Sequence, residues 1–279
     1  MGALLSVSAD AKTVKGQAYG YLTGIMYLAP SKLSGRNLCP DASPGCIAAC
    51  LNTAGRGVFS TVQQGRIKRS HYFRDDRVGF MAQLVREVAG LVRKSERMGL
   101  TPLVRLNGTS DIPWENVPAP ACEVCARPFV RLSGDVNGCP VHGIRGCVRN
   151  IMACFPAIQF YDYTKSAIRM WRFLDGRMPG NYHLTFSRSE CNDQDALGVL
   201  SRGGNVAVVF DTKRGAALPT AWQSFTVIDG DVNDARPGDV AGAYNGANGL
   251  ASVKHHGVVI GLRAKGKARR DSSGFVVTV

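Results

Sequence analysis

AIQFYDY at Ala157–Tyr163, YHLTFS at Tyr182–Ser187 and NVAVVF at Asn205–Phe210 are short apolar runs rich in branched and aromatic residues, and each gives way to polar residues. Helix-compatible or loop stretches separate them, the pattern of buried strands in a parallel sheet. Similar runs lie on either side: PLVRLN at Pro102–Asn107, SFTVID at Ser224–Asp229 and HGVVIGL at His256–Leu262, with YGYLTGIMYL at Tyr19–Leu28 as a seventh. Most follow one another at about 20–30 residues, the repeat of a βα unit. The predicted fold is therefore α/β, a partial parallel β/α barrel of about six to seven strands. A helix is expected over Val58–Tyr72, and a stronger one where Phe80, Met81, Leu84, Val85, Val88, Leu91 and Val92 repeat at helical spacing until Gly99. Between Trp114 and Phe155 the rhythm breaks into Pro, Cys and Gly. This divides the chain into an N-terminal barrel part (1–114), an insert (115–155) and a C-terminal barrel part (156–279).

The 279 residues are 45% hydrophobic and 20% charged, and 34 Lys and Arg against 21 Asp and Glu give +13. A core without disulfides is expected at this length, and the charge makes a polyanion, nucleic acid or nucleotide, the leading partner class. No apolar run reaches the length of a membrane span, and MGALLSVSADAK is too short and polar for a signal peptide, so a cytoplasmic protein without a membrane partner is expected. The oligomeric state has no signal in the sequence. Nine cysteines, all but Cys191 in two clusters or just after the second, favour metal over disulfides in that compartment.

The insert holds Cys122-Glu-Val-Cys125 and, thirteen residues on, Cys139-Pro-Val-His142, with Cys147 nearby as a substitute ligand. Two tight turns, each presenting two borderline ligands, suit tetrahedral zinc, so a zinc-ribbon-like lobe is expected. The first cluster is Cys39, Cys46 and Cys50, on a Pro/Gly-rich loop between the first strand and the first helix. Three thiolates there can hold an iron–sulfur cluster and leave one iron open. Zinc with a fourth ligand from elsewhere, or thiols without metal, are the competing readings. A three-cysteine loop after the first strand of such a barrel resembles the radical S-adenosylmethionine enzymes, which implies S-adenosylmethionine at the open iron. The spacing of six and three residues differs from that superfamily's three and two.

In a parallel β/α architecture the C-terminal strand ends form the active face. Those ends carry Asn107, Ser110, Asp111 and Glu115, then Asp162, Thr164 and Lys165, then Ser187, Arg188, Ser189 and Glu190, then Asp229 and Asp231. Asp111, Asp162, Glu190 and Asp229 are the candidate general acids and bases, expected to converge on one cavity facing the Cys39–Cys50 loop. Asn107, Ser110, Glu115, Lys165, Ser187 and Arg188 are candidate substrate contacts, with Lys165 and Arg188 suited to phosphate or carboxylate. Each alone would more often cap a helix or shape a turn. Trp114, Tyr161 and Tyr163 are candidates to stack on a base, although Tyr161 should point away from Asp162 into the core. Lys254–Arg270 holds six basic residues and no acid; Lys265, Lys267, Arg269 and Arg270 form a candidate phosphate-backbone track. His255 and His256 lack partners at ligand spacing. No Walker loop, strand-borne GxGxxG or GxSxG occurs.

NLCPDASPGCIAACLNTAGRG, VRLNGTSDIPWE, QFYDYTKS and YHLTFSRSE together resemble the phage-encoded gene 88 proteins. The resemblance covers Leu38–Glu190 in pieces without the cysteine-bearing insert, and implies phage origin and expression in a host cytoplasm. The functional expectation is an iron–sulfur β/α-barrel enzyme modifying nucleic acid or a nucleotide. Its rivals are a non-catalytic zinc-containing nucleic-acid-binding or anti-defence protein, and a zinc-containing base-exchange or hydrolytic enzyme on DNA.

Overall fold

A computed structural model describes residues 2–7, 11–121, 147–239 and 256–279. Its centre is a nine-stranded sheet. The strands are β1 (Leu5–Val7), β2 (Tyr21–Met26), β3 (Thr101–Arg105), β6 (Gln159–Thr164), β7 (Tyr182–Ser187), β8 (Val206–Phe210), β9 (Ala221–Trp222), β10 (Phe225–Asp229) and β11 (Val259–Arg263). A separate pair is formed by β4 (Ala119–Pro120) and β5 (Cys147–Val148). In the main sheet the order is β1-β2-β3-β6-β7-β8-β11-β10-β9. The seven inner strands run parallel, and each coincides with one of the seven apolar runs. Only the edge strands β1 and β9 are antiparallel to their neighbours. Strand order follows chain order as far as β8, after which the last three strands run in reverse, with β11 between β8 and β10 and β9 at the edge. Among the described residues β1 and β9 each pair on one side only, so the sheet has two edges.

The helices are α1 (Ala11–Gln17), α2 (Pro44–Ala48), α3 (Ser60–Asp75), α4 (Arg77–Met98), α5 (Ile151–Cys154), α6 (Ala167–Leu174) and α7 (Asp193–Ser201). Asp76 caps α4 by accepting the Gly79 N–H, and Gly99 ends it in the left-handed conformation at φ 64°. Its predicted stripe is buried from Phe80 to Leu91. Helices α4 to α7 share one core with the side chains of Val104, Phe160, Leu184, Phe186, Val206, Val208 and Val259. Because side chains alternate along a strand, the intervening residues face the other way. There Leu103 and Tyr161 pack with Ala235, and Tyr163 packs with Ala207, Ile228 and Ile260. We call these the helix face and the inner face.

Strands β4 and β5 place Pro120 beside Cys147, so the chain leaves and rejoins this region at one point. The predicted zinc ligands Cys122, Cys125, Cys139 and His142 fall between, outside the described residues, as do Lys254 and His255. Among the described residues no helix is long and apolar enough to cross a membrane.

Candidate functional site

A cavity of about 210 Å³ opens at the C-terminal ends of the parallel strands. Its wall comes from the inner face of five strands adjacent in the sheet: Arg105, Tyr163, Ser187, Ala207 and Val209, and Leu262. The loop after β3 adds Asn107 to Asp111, and the end of β6 adds Lys165. Across from these strands lie Cys39, Cys46 and Cys50, with Ala42 and Ala49 between them. Leu51, Thr164, Arg263, Lys265, Ala268 and Phe275 complete the lining.

Local hydrogen bonds hold the cysteine loop. Cys39 Sγ accepts the Ser31 N–H at 3.3 Å, and Cys50 Sγ accepts the Asn52 N–H at 3.5 Å. Ser43 caps α2 at the Cys46 N–H, while Glu190 accepts from Ser43 Oγ and the Gly45 N–H, both at 2.7 Å. A Cβ at Gly45 would overlap Ser273 Oγ and stand 2.7 Å from Glu190 Oε2, so any larger residue would displace these side chains from the loop. Burial pushes the Cys39 thiol up to about 12, and the Cys46 and Cys50 thiols upward as well, reinforced at Cys39 and Cys46 by the neighbouring thiols. Lys165, whose charge faces Cys46, works in the opposite direction on that thiol.

The strand-end acids do not converge. Asp111 alone of the four lines the cavity, and both its oxygens are engaged: Oδ1 with Arg169 at 2.5 Å, Oδ2 with Thr164 Oγ1 and the Lys165 N–H. Asp162 is fully buried on the helix face, accepting from the Asn107 N–H at 2.6 Å and the Tyr182 hydroxyl at 2.8 Å. Glu190 grips the cysteine loop from outside the lining, and hydrogen bonds from Ser43 and Gly45 hold its carboxyl below the usual range against the opposing effect of burial. Asp229 is not in the lining; it pairs at 2.9 Å with Arg263, which is. Alternation explains the outcome: Asp162 shares its face with Phe160, whereas the cavity wall belongs to the face of Tyr163.

The candidate substrate contacts divide in the same way. Asn107, Ser110, Lys165 and Ser187 line the cavity. Asn107 Oδ1 accepts from Ser110 Oγ, the Ile112 N–H and Trp114 Nε1, so it shapes the loop that carries Asp111. Glu115 is 2% exposed and holds Arg169 through both oxygens at 2.9 Å, and Arg188 binds Asp193 and the carbonyls of Gly274 and Phe275. Trp114 is core, against Phe73 and Phe80, and Tyr161 is buried with its hydroxyl on Asp234. Of the basic track, Lys265 lines the cavity and pairs with Asp231 at 2.5 Å. Lys267, Arg269 and Arg270 are exposed on the short 3₁₀ turn Gly266–Arg270 whose Ala268 closes the wall.

A family model described as gene product 88 matches residues 3–137 and 139–279. The chain belongs to the gene product 88 family, a phage family. The matched residues span the cysteine-bearing insert, which the resemblance noted from the sequence did not include. No curated protein and no solved structure matches the chain.

The gene product 88 cavity also depends on residues that no motif announced. Arg105 pairs with Asp234 at 2.8 Å and lays its guanidinium over the Tyr163 ring at 4.5 Å. Arg66, from α3, hydrogen-bonds Asn52 Oδ1 beneath the cysteine loop and stacks on Tyr27. Lys165 Nζ donates to Ser187 Oγ and to the carbonyls of Ser187 and Arg188, with no carboxylate in contact among the described residues, and burial pushes its pKa down. Among the described residues no three His, Cys, Asp or Glu side chains stand close enough to hold a metal ion.

Proposed function

We propose that this gene product 88 chain is an iron–sulfur enzyme built on a partial β/α barrel and acting on a nucleotide or a nucleotide unit of nucleic acid. The carrying observation is that Cys39, Cys46 and Cys50 line one cavity at the C-terminal strand ends, the active end of such folds. Helices α4 to α7 on a single face, with the cavity on the other, support the barrel reading.

The residues fit a cluster better than a single ion. Thiolates around one tetrahedral zinc stand about 4 Å apart, given bonds of about 2.3 Å. A cluster spreads its thiolates over separate irons and accepts wider spacing, which suits three thiols that share a wall without closing on one point. Backbone N–H groups already directed at two of the sulfurs are the hydrogen bonds that favour thiolate. The thiols, held protonated by burial, would give up their protons on binding. A cluster held there would supply an open iron for redox or Lewis-acid chemistry, and S-adenosylmethionine is a candidate ligand for it.

The chain's own residues provide charge and position. Lys165 and Arg105 present positive charge to the cavity, Tyr163 a ring face, and Ser110 and Ser187 hydroxyls. Lys265 and the exposed Lys267, Arg269 and Arg270 form a basic rim suited to flanking phosphates. Asp111 serves as a positioning residue, since its carboxylate fixes the Lys165 backbone and Arg169.

Anaerobically prepared protein should contain iron and sulfide and absorb near 400 nm, as thiolate-bound clusters do. Cys39→Ser, Cys46→Ser and Cys50→Ser should each remove that absorption. Colourless protein carrying zinc on these thiols would replace this reading with the zinc enzyme. Binding of nucleotide without turnover in the cluster-loaded protein would favour a binding protein.

A further inference from the structure

A second cavity, of about 730 Å³, lies beside the N-terminal ends of β6 and β7, at the opposite end of those strands from the cysteine loop. Six-residue strands put the two sites roughly 20 Å apart. Arg149, Arg172 and Arg177 line it, over a floor that includes Met178, Pro156 and Pro179. Among the described residues the only acid in the lining is Glu115, and Arg169 occupies both its oxygens. The asparagines of the lining are also committed. Asn150 caps α5 and donates to the Glu115 carbonyl, while Asn181 Nδ2 donates to the carbonyls of Met152, Phe155 and Ile158.

Three guanidinium groups are thus left to set the polarity of the cavity. Arg177 pairs at 2.5 Å with the partly exposed Asp175, which Arg202 also holds, and among the described residues no carboxylate pairs with Arg149 or Arg172. The cavity volume falls in the range of about 300–1,000 Å³ common for small-molecule sites. Arginine forks match phosphate oxygens two at a time, and an adaptable Met beside two prolines offers an apolar surface to a flat ring. We propose that this cavity is a second binding site, for the phosphates and base of a nucleotide. Arg172 and Arg149 contact the phosphates, and Met178 and Pro179 lie against the base. The site does not depend on the metal content or reaction of the cysteine cavity.

The test uses the full chain as purified, with adenosine triphosphate, inorganic phosphate and a labelled 20-nucleotide single-stranded DNA as separate probes in equilibrium binding. The variant Arg149→Gln/Arg172→Gln should weaken triphosphate binding tenfold or more. The control Arg93→Gln/Arg97→Gln, exposed on α4 and outside both linings, should leave it within twofold, while Lys267→Gln/Arg269→Gln/Arg270→Gln, the rim variant, reports binding at the cysteine cavity. All three sets replace exposed or half-buried side chains, and unchanged thermal melting confirms that each variant is folded. If DNA binds and triphosphate does not, with the same loss in the double variant, the nucleotide unit recognised belongs to a polymer. The proposal is overturned if neither probe binds at low salt, or if binding survives the double variant and is lost in the rim variant. It is overturned equally if inorganic phosphate binds as tightly as triphosphate, because base and phosphate chain would then contribute nothing.

Discussion

Strands β6 and β7 carry one buried polar network on each face. On the helix face Arg169 is saturated: Glu115 takes Nε and Nη2, Asp111 takes Nη1, and Tyr182 OH accepts from Nη2 while donating to Asp162. None of these side chains has an unpartnered buried atom. On the inner face Tyr161, Arg105 and Asp234 form one group, and Arg236 and Asp239 another. Here Arg105 Nε, His183 Nε2, Thr185 Oγ1, Arg236 Nε and Nη1 and Asp239 Oδ2 lack hydrogen bonds. Arg236 Nη1 stands 3.0 Å from Asp239 Oδ2 without the alignment of a bond. A buried unmade bond costs about 1–3 kcal/mol, so the two faces serve different ends. The helix face is finished for stability. The inner face, which continues into the cysteine cavity through Arg105 and Tyr163, keeps unspent polar capacity beside a site for ligands.

The largest effect that can break this contrast is on the saturated side. Arg169→Ala should destabilise the protein by about 3–5 kcal/mol, because it strands two buried carboxylates. Urea unfolding measures it. A loss below about 1 kcal/mol would mean that the network is ornamental and that the helix face owes its stability to apolar packing alone.

The difference between the faces also marks what the sequence can express. Seven strands and α4 were legible because their signals are local: branched residues in short runs, and an apolar stripe ended by Gly99. The cysteine loop was legible by its spacing and its place after β2. Strand-end logic found Asp111, Lys165 and Ser187, which do line the cavity. It also put Asp162, Glu190 and Asp229 there, because a polar residue near a strand end looks the same whichever face it takes. Arg105 and Asp234 lie 129 residues apart, and Arg169 and Glu115 lie 54 apart, so neither pair leaves a local pattern. The insertion of β11 between β8 and β10 was equally silent, since neighbouring strands are chosen by long-range packing.

A pH titration sharpens the comparison at intermediate size. Burial pushes the Asp162 carboxyl up to about 7, against the pull of the Asn107 N–H and the Tyr182 hydroxyl, and pushes Asp239 up to about 6. From about pH 4 to these values the folded chain holds protons that the unfolded chain has released. Stability should therefore fall as pH rises through that window, at no more than about 1.4 kcal/mol per pH unit for each group. Glu190, Asp231 and Asp271, whose carboxyls are held low, act at more acidic pH, where their contribution is lost as pH falls. Denaturant midpoints at pH 5 and pH 7 in wild type and Asp162→Asn decide the point. Burial pushes the His183 imidazole down to about 4, which acts in the opposite direction between these pH values, so the deciding quantity is the difference between the two proteins. The gain in stability from pH 7 to pH 5 should be larger in wild type than in Asp162→Asn, whereas the same pH dependence in both would show that Asp162 stays ionised in the fold.

The smallest effect belongs to the inner face, and it separates the two networks most directly. Arg236 is fully buried and Asp239 nearly so, yet their pairing leaves three polar atoms without hydrogen bonds. Removing both charges at once eliminates these unmet groups together and leaves no ion stranded, which is how replacement of a buried ion pair by apolar residues becomes neutral or favourable. Arg236→Met with Asp239→Leu should therefore change stability by less than about 1 kcal/mol, through gains that offset the lost Arg236 bond to the Asn233 carbonyl. Arg236→Met alone should cost more than the pair, since it leaves the Asp239 carboxyl buried without its cation. The backbone contact from Asn205 Nδ2 to the Asp239 carbonyl survives in both variants, so the comparison isolates the side chains. A double variant destabilised as strongly as Arg169→Ala would show that the inner network is satisfied in solution, and the contrast between the faces would fail.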